Sequence, residues 1–204
     1  MTLSHPALKE AEALLEKYEE EPAHVRHVAA LADRLYADLA PWHGRPTGSD
    51  GEERVLLRIA ALLHDIGWSQ VPTGKGHHKE SARLVHEHAW KHLAPAQVAV
   101  VAQTARYHRK KPPDAAHPAY QALSAAGRRT VDLLAGILRV ADALDRSHAA
   151  RVAEVRAQVG PGEIVLFVTP AGEWEAERRT VEKKKDLLER TSRREVVVTD
   201  ENEE

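Results

Sequence analysis

The stretch Ala60-Ala61-Leu62-Leu63-His64-Asp65-Ile66-Gly67 constrains this chain more than any other. An apolar helical run ends in an adjacent histidine and aspartate, where an unpaired buried charge is costly. Both side chains are metal-ligand types. In a chain with 13 histidines the dipeptide alone is a weak signal, so its meaning depends on the helices around it.

Periodicity predicts those helices. A first covers 7–20, and Pro22 then suits the first turn of a second over 23–39, striped by Val28, Leu31, Leu35 and Leu39. His27 borders that stripe, and His24 lies a turn earlier. A Pro- and Gly-rich loop leads to a third helix over 52–66, whose broad apolar face marks it as central. Gly67 suits a left-handed position after its end. A fourth helix covers 78–93, with His78, Ala82, Val85 and Ala89 on one face and His77 turned away by about 100°. Pro95 opens a fifth helix, on which Val98, Val101, Ala105 and His108 share a face. Ser124 caps a long helix over 125–147, where Asp142 occupies a position that Val131, Leu134 and Leu138 reserve for core.

The pattern changes near residue 150. Alternation at Val155, Ala157 and Val159, a Gly160-Pro161-Gly162 turn, and 164–168 read as two strands. A charged helix over 173–190, a strand at 196–198 and an acidic tail follow. The expected architecture is mainly α: a helical bundle over 1–150 and a small β-β-α-β extension over 151–204.

Composition removes several classes. Without cysteine there is no disulfide framework, thiolate nucleophile or zinc-thiolate site. No apolar run reaches membrane-spanning length and the N-terminus lacks a signal pattern, so the expectation is a soluble cytoplasmic protein with no membrane partner. A net charge of −2 counts against a nucleic-acid partner.

Five helices thus each bring a ligand-type group inward: His27, the pair His64-Asp65, His78, His108 and Asp142. Singly, each is more often an exposed or satisfied residue. Together they suit a metal site built between facing helices. Mixed imidazole and carboxylate donors favour Mn²⁺, Fe²⁺ or Zn²⁺, with Mg²⁺, Co²⁺ or Ni²⁺ as further options, as one ion or two. Lys79, Arg109 and Arg146 lie beside or one turn from these ligands, and Lys110 flanks them, so all four are candidate phosphate-binding groups. Lys75 and Lys111 read as solvated charge. Thr73-Gly74-Lys75-Gly76 lacks P-loop spacing and a preceding strand.

The order His27, His64-Asp65, Asp142 resembles the HD-domain superfamily of metal-dependent phosphohydrolases. Leu62 to Gly67, Gly76 to Ala82, Arg106 to Lys110 and Leu138 to Ser147 are similar to the C-terminal HD region of the exopolyphosphatase/guanosine-pentaphosphate phosphatase family, as is the β-α tail from Arg151 onward. That family's actin-like ATPase-type domains have no counterpart in these 204 residues, so its polyphosphatase activity is not implied. The resemblance implies an HD helical fold with metal positions His27, His64, Asp65 and Asp142, and with His78 and His108 matching the extra histidines of two-metal members. The expected activity is a freestanding phosphohydrolase acting on a nucleotide or other small phosphorylated compound through a metal-activated water. Asp65 would bridge two metals and Lys79 or Arg109 would hold the phosphate. The alternative is a non-catalytic module that binds polyphosphate or a guanosine tetraphosphate-type nucleotide, or docks on a partner phosphatase. The reading admits a homo-oligomer.

Overall fold

The computed structural model describes residues 5–48 and 51–201. Helices α1 (Pro6–Tyr18) and α2 (Pro22–Asp38) each begin with proline at the first turn, where its missing N–H is no loss. A short α3 (Ala40–His43) precedes α4 (Glu52–Leu63), in which every residue from Val55 to Leu63 is buried. This is the central helix the periodicity predicts, packed against α1, α2 and the later α6 and α8. Next come a 3-10 turn (Trp68–Gln70), α5 (His77–Glu87) and α6 (Pro95–Arg106). After α7 (Pro118–Gln121), Ser124 caps α8 (Ala125–Leu144), its hydroxyl accepting from the Gly127 N–H at 3.0 Å. No strand interrupts the described residues between 23 and 147, and no described helix is long and apolar enough to cross a membrane.

The C-terminal unit is a three-stranded sheet with a helical crossover. β1 (Val152–Val159) pairs antiparallel with β2 (Glu163–Pro170), which pairs parallel with β3 (Glu195–Asp200). A parallel pair needs a long connection, here α9 (Glu175–Lys184) and α10 (Asp186–Ser192). Ile164, Leu166 and Val168 of β2 are buried beside Val196 and Val198 of β3. α9 and α10 lie on α8, β1 lies on α2, and one continuous apolar cluster includes residues of both the bundle and the sheet unit. At Gly136 a Cβ would sit 3.3 Å from the Leu188 backbone, so glycine lets α10 approach α8 closely.

Several element boundaries differ from expectation. The fourth helix stops at Glu87, not 93: His88 is extended, and the Trp90 indole N–H takes the Val85 carbonyl at 2.8 Å. The terminal helix breaks at Lys185, whose ammonium donates to the Val196 carbonyl at 2.7 Å. In β1 the buried residues are Val152 and Val155 rather than a strict alternation, because the register shifts between Val152 and Glu154. The expected acidic tail beyond 201 lies outside the described residues.

Gly67 is not left-handed; its φ is −74°. Its requirement is space. A Cβ there would lie 2.3 Å from the His77 carbonyl oxygen and 2.5 Å from the Ser81 nitrogen. The Gly67 N–H also donates to the Ser81 hydroxyl at 3.0 Å, so α5 begins in contact with the turn after α4. Gly67→Ala should therefore push the start of α5 away and destabilise the protein by roughly 2 kcal/mol or more. A chemical-denaturation midpoint close to wild type would show that the two backbones can separate without cost.

Candidate metal centre

The carboxyl ends of α4, α6 and α8, the first turns of α2 and α5, and the end of α9 meet around one buried group of side chains. His64 is the cap residue of α4, with Asp65 in the turn that follows. The His64 Nδ1–H donates to the Ala61 carbonyl at 2.7 Å, and the His108 Nδ1–H to the Ala105 carbonyl at 2.7 Å. These carbonyls lie in the last turns of α4 and α6. The His77 Nδ1–H likewise takes the Gly74 carbonyl at 2.8 Å. His24, in the first turn of α2, donates from Nδ1 to Asp145 at 2.8 Å. In all four histidines Nδ1 is engaged by its surroundings, which turns Nε2 toward the cluster; that of His77 also accepts from Arg109 at 3.0 Å.

Those Nε2 atoms converge on two carboxylates. His24 and His64 lie 3.8 and 3.6 Å from Oδ1 of Asp142. His77 and His108 lie 3.2 and 3.5 Å from Oδ1 of Asp65, and His64 lies 3.7 Å from its Oδ2. His24, His64 and Asp142 thus form one ligand set, and Asp65, His77 and His108 another, each with ligand atoms within 4.8 Å of one another. The carboxylate of Asp65 faces both. Nε2 of His24, Nε2 of His64 and Oδ1 of Asp65 are buried without a hydrogen-bond partner, although each is a strong polar atom. Buried orphans of this kind are rare and costly, and a divalent cation in each ligand set would satisfy them. The donor set therefore fits a metal.

Two expected ligands lie elsewhere. The His27 Nε2–H donates to the Val152 carbonyl at 2.8 Å, tying α2 to β1. His24, rather than His27, stands on the centre of the α2 stripe, since 24, 28, 31 and 35 fall at i, i+4, i+7 and i+11. That spacing was available in the sequence. His77, not His78, meets Asp65. The Ala82 and Val85 stripe of α5 identifies the face toward α6, and His78 follows it, whereas the cluster is reached from the neighbouring face of the first turn. His64, Asp65, His108 and Asp142 do come together as their patterns suggest.

Of the expected cations, Arg109 reaches the cluster, its guanidinium 3.0 Å from Nε2 of His77. Lys79 and Lys110 line an adjoining pocket instead. Arg146 is exposed and makes no ion pair among the described residues. Lys184, which periodicity marks only as part of a charged helix, lies 3.6 Å from Oδ2 of Asp142 and donates to the His108 carbonyl at 3.1 Å. His148 was also missed. It stacks on His24 at 3.7 Å between ring centroids, in a turn held by the Ala150 N–H bond to Asp145 at 2.8 Å. A pocket of about 260 Å³ opens beside His24, Asp65 and His148, rimmed by Trp68 and Glu19.

Electrostatics follow from this crowding. Burial opposes a charged His64, but Asp65 and Asp142 outweigh it and raise its pKa to about 9. Burial likewise opposes the charged carboxylates, yet His64 and the other histidines hold Asp65 and Asp142 well below the usual carboxylate range. Burial drives His108 well below its ordinary value and lowers Lys184 despite Asp142. It also lowers His78 to about 4, with His77 and Arg109 adding to the effect, and raises Glu19, with Asp65 adding. Without a metal, the proton on His64 is the main countercharge to the two carboxylates.

A folded-state pKa above the unfolded value of about 6.5 gives stability that is complete below that value and lost as pH rises through the folded value. Metal-free protein should therefore lose melting temperature between about pH 7 and pH 10 as His64 deprotonates at about 9. Metal-loaded protein should not show this loss, because the cation replaces the proton. Equal pH profiles with and without EDTA would refute the coupling. Asp145→Asn, which alters the partner of His24 and also the acceptor of the Ala150 N–H, should weaken metal binding by about 10- to 100-fold, measured by competition with a chelating dye. Unchanged affinity would mean that His24 is oriented by other contacts.

Residues 8–189 match the family model for the Ppx/GppA phosphatase, domain III. No curated protein matches the chain. The matched span holds every residue of the cluster, from His24 to Lys184. It covers most of the 204 residues, and the chain belongs to the Ppx/GppA phosphatase domain III family.

Proposed function

We propose that this chain is an HD-type, metal-dependent phosphohydrolase acting on a nucleotide or other small phosphorylated compound. One observation carries the reading: imidazole nitrogens and carboxylate oxygens, three of them buried without partners, come from separate helices into adjoining ligand sets around Asp65 and Asp142. Family membership supports a phosphatase relationship. In this reading His24, His64 and Asp142 would hold one ion and His77 and His108 a second, with Asp65 as a further ligand. A bound divalent ion supplies a Lewis acid and lowers the pKa of water toward neutrality.

The chain's own groups do the rest. The Nδ1 hydrogen bonds hold the four histidines in one tautomer, so each presents an unprotonated Nε2 once a cation takes the place of the His64 proton. Lys184 and Arg109, the two cations that touch the cluster, would receive the phosphoryl oxygens and stabilise charge developing on them. Burial of Lys184 strengthens that interaction, because little water competes for it.

The test is metal analysis of protein purified without chelator, followed by a screen of phosphate esters with Mn²⁺, Mg²⁺, Co²⁺ and Ni²⁺. A bound divalent metal and turnover of at least one ester are expected. His24→Ala and Asp142→Ala should each cost about 100-fold or more in turnover and lose metal, while His27→Ala should keep its metal and lose less than about threefold. Metal-free protein that hydrolyses nothing would assign the chain instead to binding without catalysis.

A further inference from the structure

A second charged feature lies beside the cluster, and of its cations the reading above uses only Arg109. A partly open pocket of about 330 Å³ is lined by His78, Lys79, Arg106, Arg109, Lys110 and Lys111. No carboxylate lines it. Lys79, Arg106, Lys110 and Lys111 form no ion pair among the described residues, although the chain carries 31 acidic residues against 29 basic ones. The acids could have been distributed to neutralise this pocket and were not. Like charges held together repel one another, so an empty cationic pocket costs free energy that a bound anion recovers.

The pocket also has a buried polar group with nothing to bind. His78 is 7% exposed, and its Nδ1 is enclosed without a hydrogen-bond partner. The turn 107–110, which carries Arg109 and Lys110, is fixed from behind by Arg139, which donates to the Tyr107 and Lys110 carbonyls at 3.3 and 3.0 Å. On the far side the Tyr107 hydroxyl is tied to His117 at 2.7 Å. Arg109 and Lys110 therefore stand on a held turn, and Lys79 and Arg106 on α5 and α6. Guanidinium and ammonium donors without carboxylate partners are the groups that recognise phosphate oxygens. His78 lies 5.9 and 6.3 Å, ring centroid to ring centroid, from His77 and His108, so the pocket adjoins the cluster through these rings.

We propose that this pocket is a metal-independent site for a phosphate dianion, free or carried by a larger compound, distinct from the histidine–aspartate cluster. The site does not depend on the hydrolase reading, and its primary test needs no turnover. Full-length protein stripped with EDTA is titrated with orthophosphate by calorimetry and thermal shift, with chloride at matched ionic strength as control. Orthophosphate should bind and raise the melting temperature where chloride does not. The variant Arg106→Gln/Lys110→Gln/Lys111→Gln should weaken that binding by about tenfold or more. If it fails to fold, the single changes Arg106→Gln and Lys111→Gln, at partly exposed side chains, take its place. No binding beyond chloride, or binding that the substitutions leave unchanged, overturns the proposal.

A second arm separates the two sources of the dianion. With metal-loaded protein, KM is compared for a nucleoside monophosphate and a nucleoside bisphosphate. If the substitutions raise KM for the bisphosphate alone, the pocket holds a second phosphate of the substrate. If they change neither KM while orthophosphate binding is lost, the ligand is free phosphate. Failure to hydrolyse either compound would count against the hydrolase reading and leave the orthophosphate titration to decide the pocket.

Discussion

Arg139 ties the two sides of the site together. Its guanidinium is almost completely buried, and a buried charge persists only where its donors are satisfied. It donates to the carbonyls of Tyr107, Lys110 and Lys184 and to Asp186 at 2.8 Å. Those acceptors belong to the turn after α6 and to the junction of α9 and α10. One side chain of α8 thus fixes the segment that carries His108 and Arg109 and the helix end that carries Lys184. Lys110 adopts a left-handed conformation, φ 58°, which costs a non-glycine residue about 1 kcal/mol or more, and the bond from Arg139 to its carbonyl helps hold it there.

The histidines of the cluster are oriented by a second economy of helix ends. Carbonyls in the last turn of a helix lack backbone donors. His64 and His108 each fold back onto the carbonyl three residues earlier, so an acceptor in the last helical turn also fixes the ring. His77 does the same ahead of α5. The resulting Nε2 atoms face Asp65 and Asp142, and those two carboxylates favour the protonated form of His64 despite its burial. Both a cluster that would destabilise an apolar bundle and the means of satisfying it are built from the same helix termini.

The small sheet has a functional consequence through its crossover. Because β2 and β3 are parallel, the chain must cross the molecule between them, and α9 and α10 do so along α8. Gly136 permits that close approach. The crossover delivers Lys184 to Asp142, so a cation from the C-terminal unit completes a group of residues that otherwise comes from the helical bundle.

Sequence determined the classes of element and much of the cluster. The period of 3.6 on α4 and α8, with His64-Asp65 at the end of one and Asp142 in the core stripe of the other, survives because burial of those stripes is what forms the bundle. The β-β-α-β order was likewise legible from alternation and the Gly160 to Gly162 turn. Phase on α2 also held the answer for His24, which lies nearer the stripe than His27. Tertiary structure alone decided the rest. On α5 the apolar stripe turns toward α6, so a histidine off that stripe, His77, reaches Asp65, and no periodicity of a single helix says which neighbour its faces meet. Gly67 is explained by the backbone of α5 lying against it, a contact 10 to 14 residues away in the chain. Lys184 sits among other charged residues of α9 and is distinguished from them only by the Arg139-anchored docking of that helix end onto α8. Local pattern records which residues a helix buries, while the partner across the interface is set by how the helices pack.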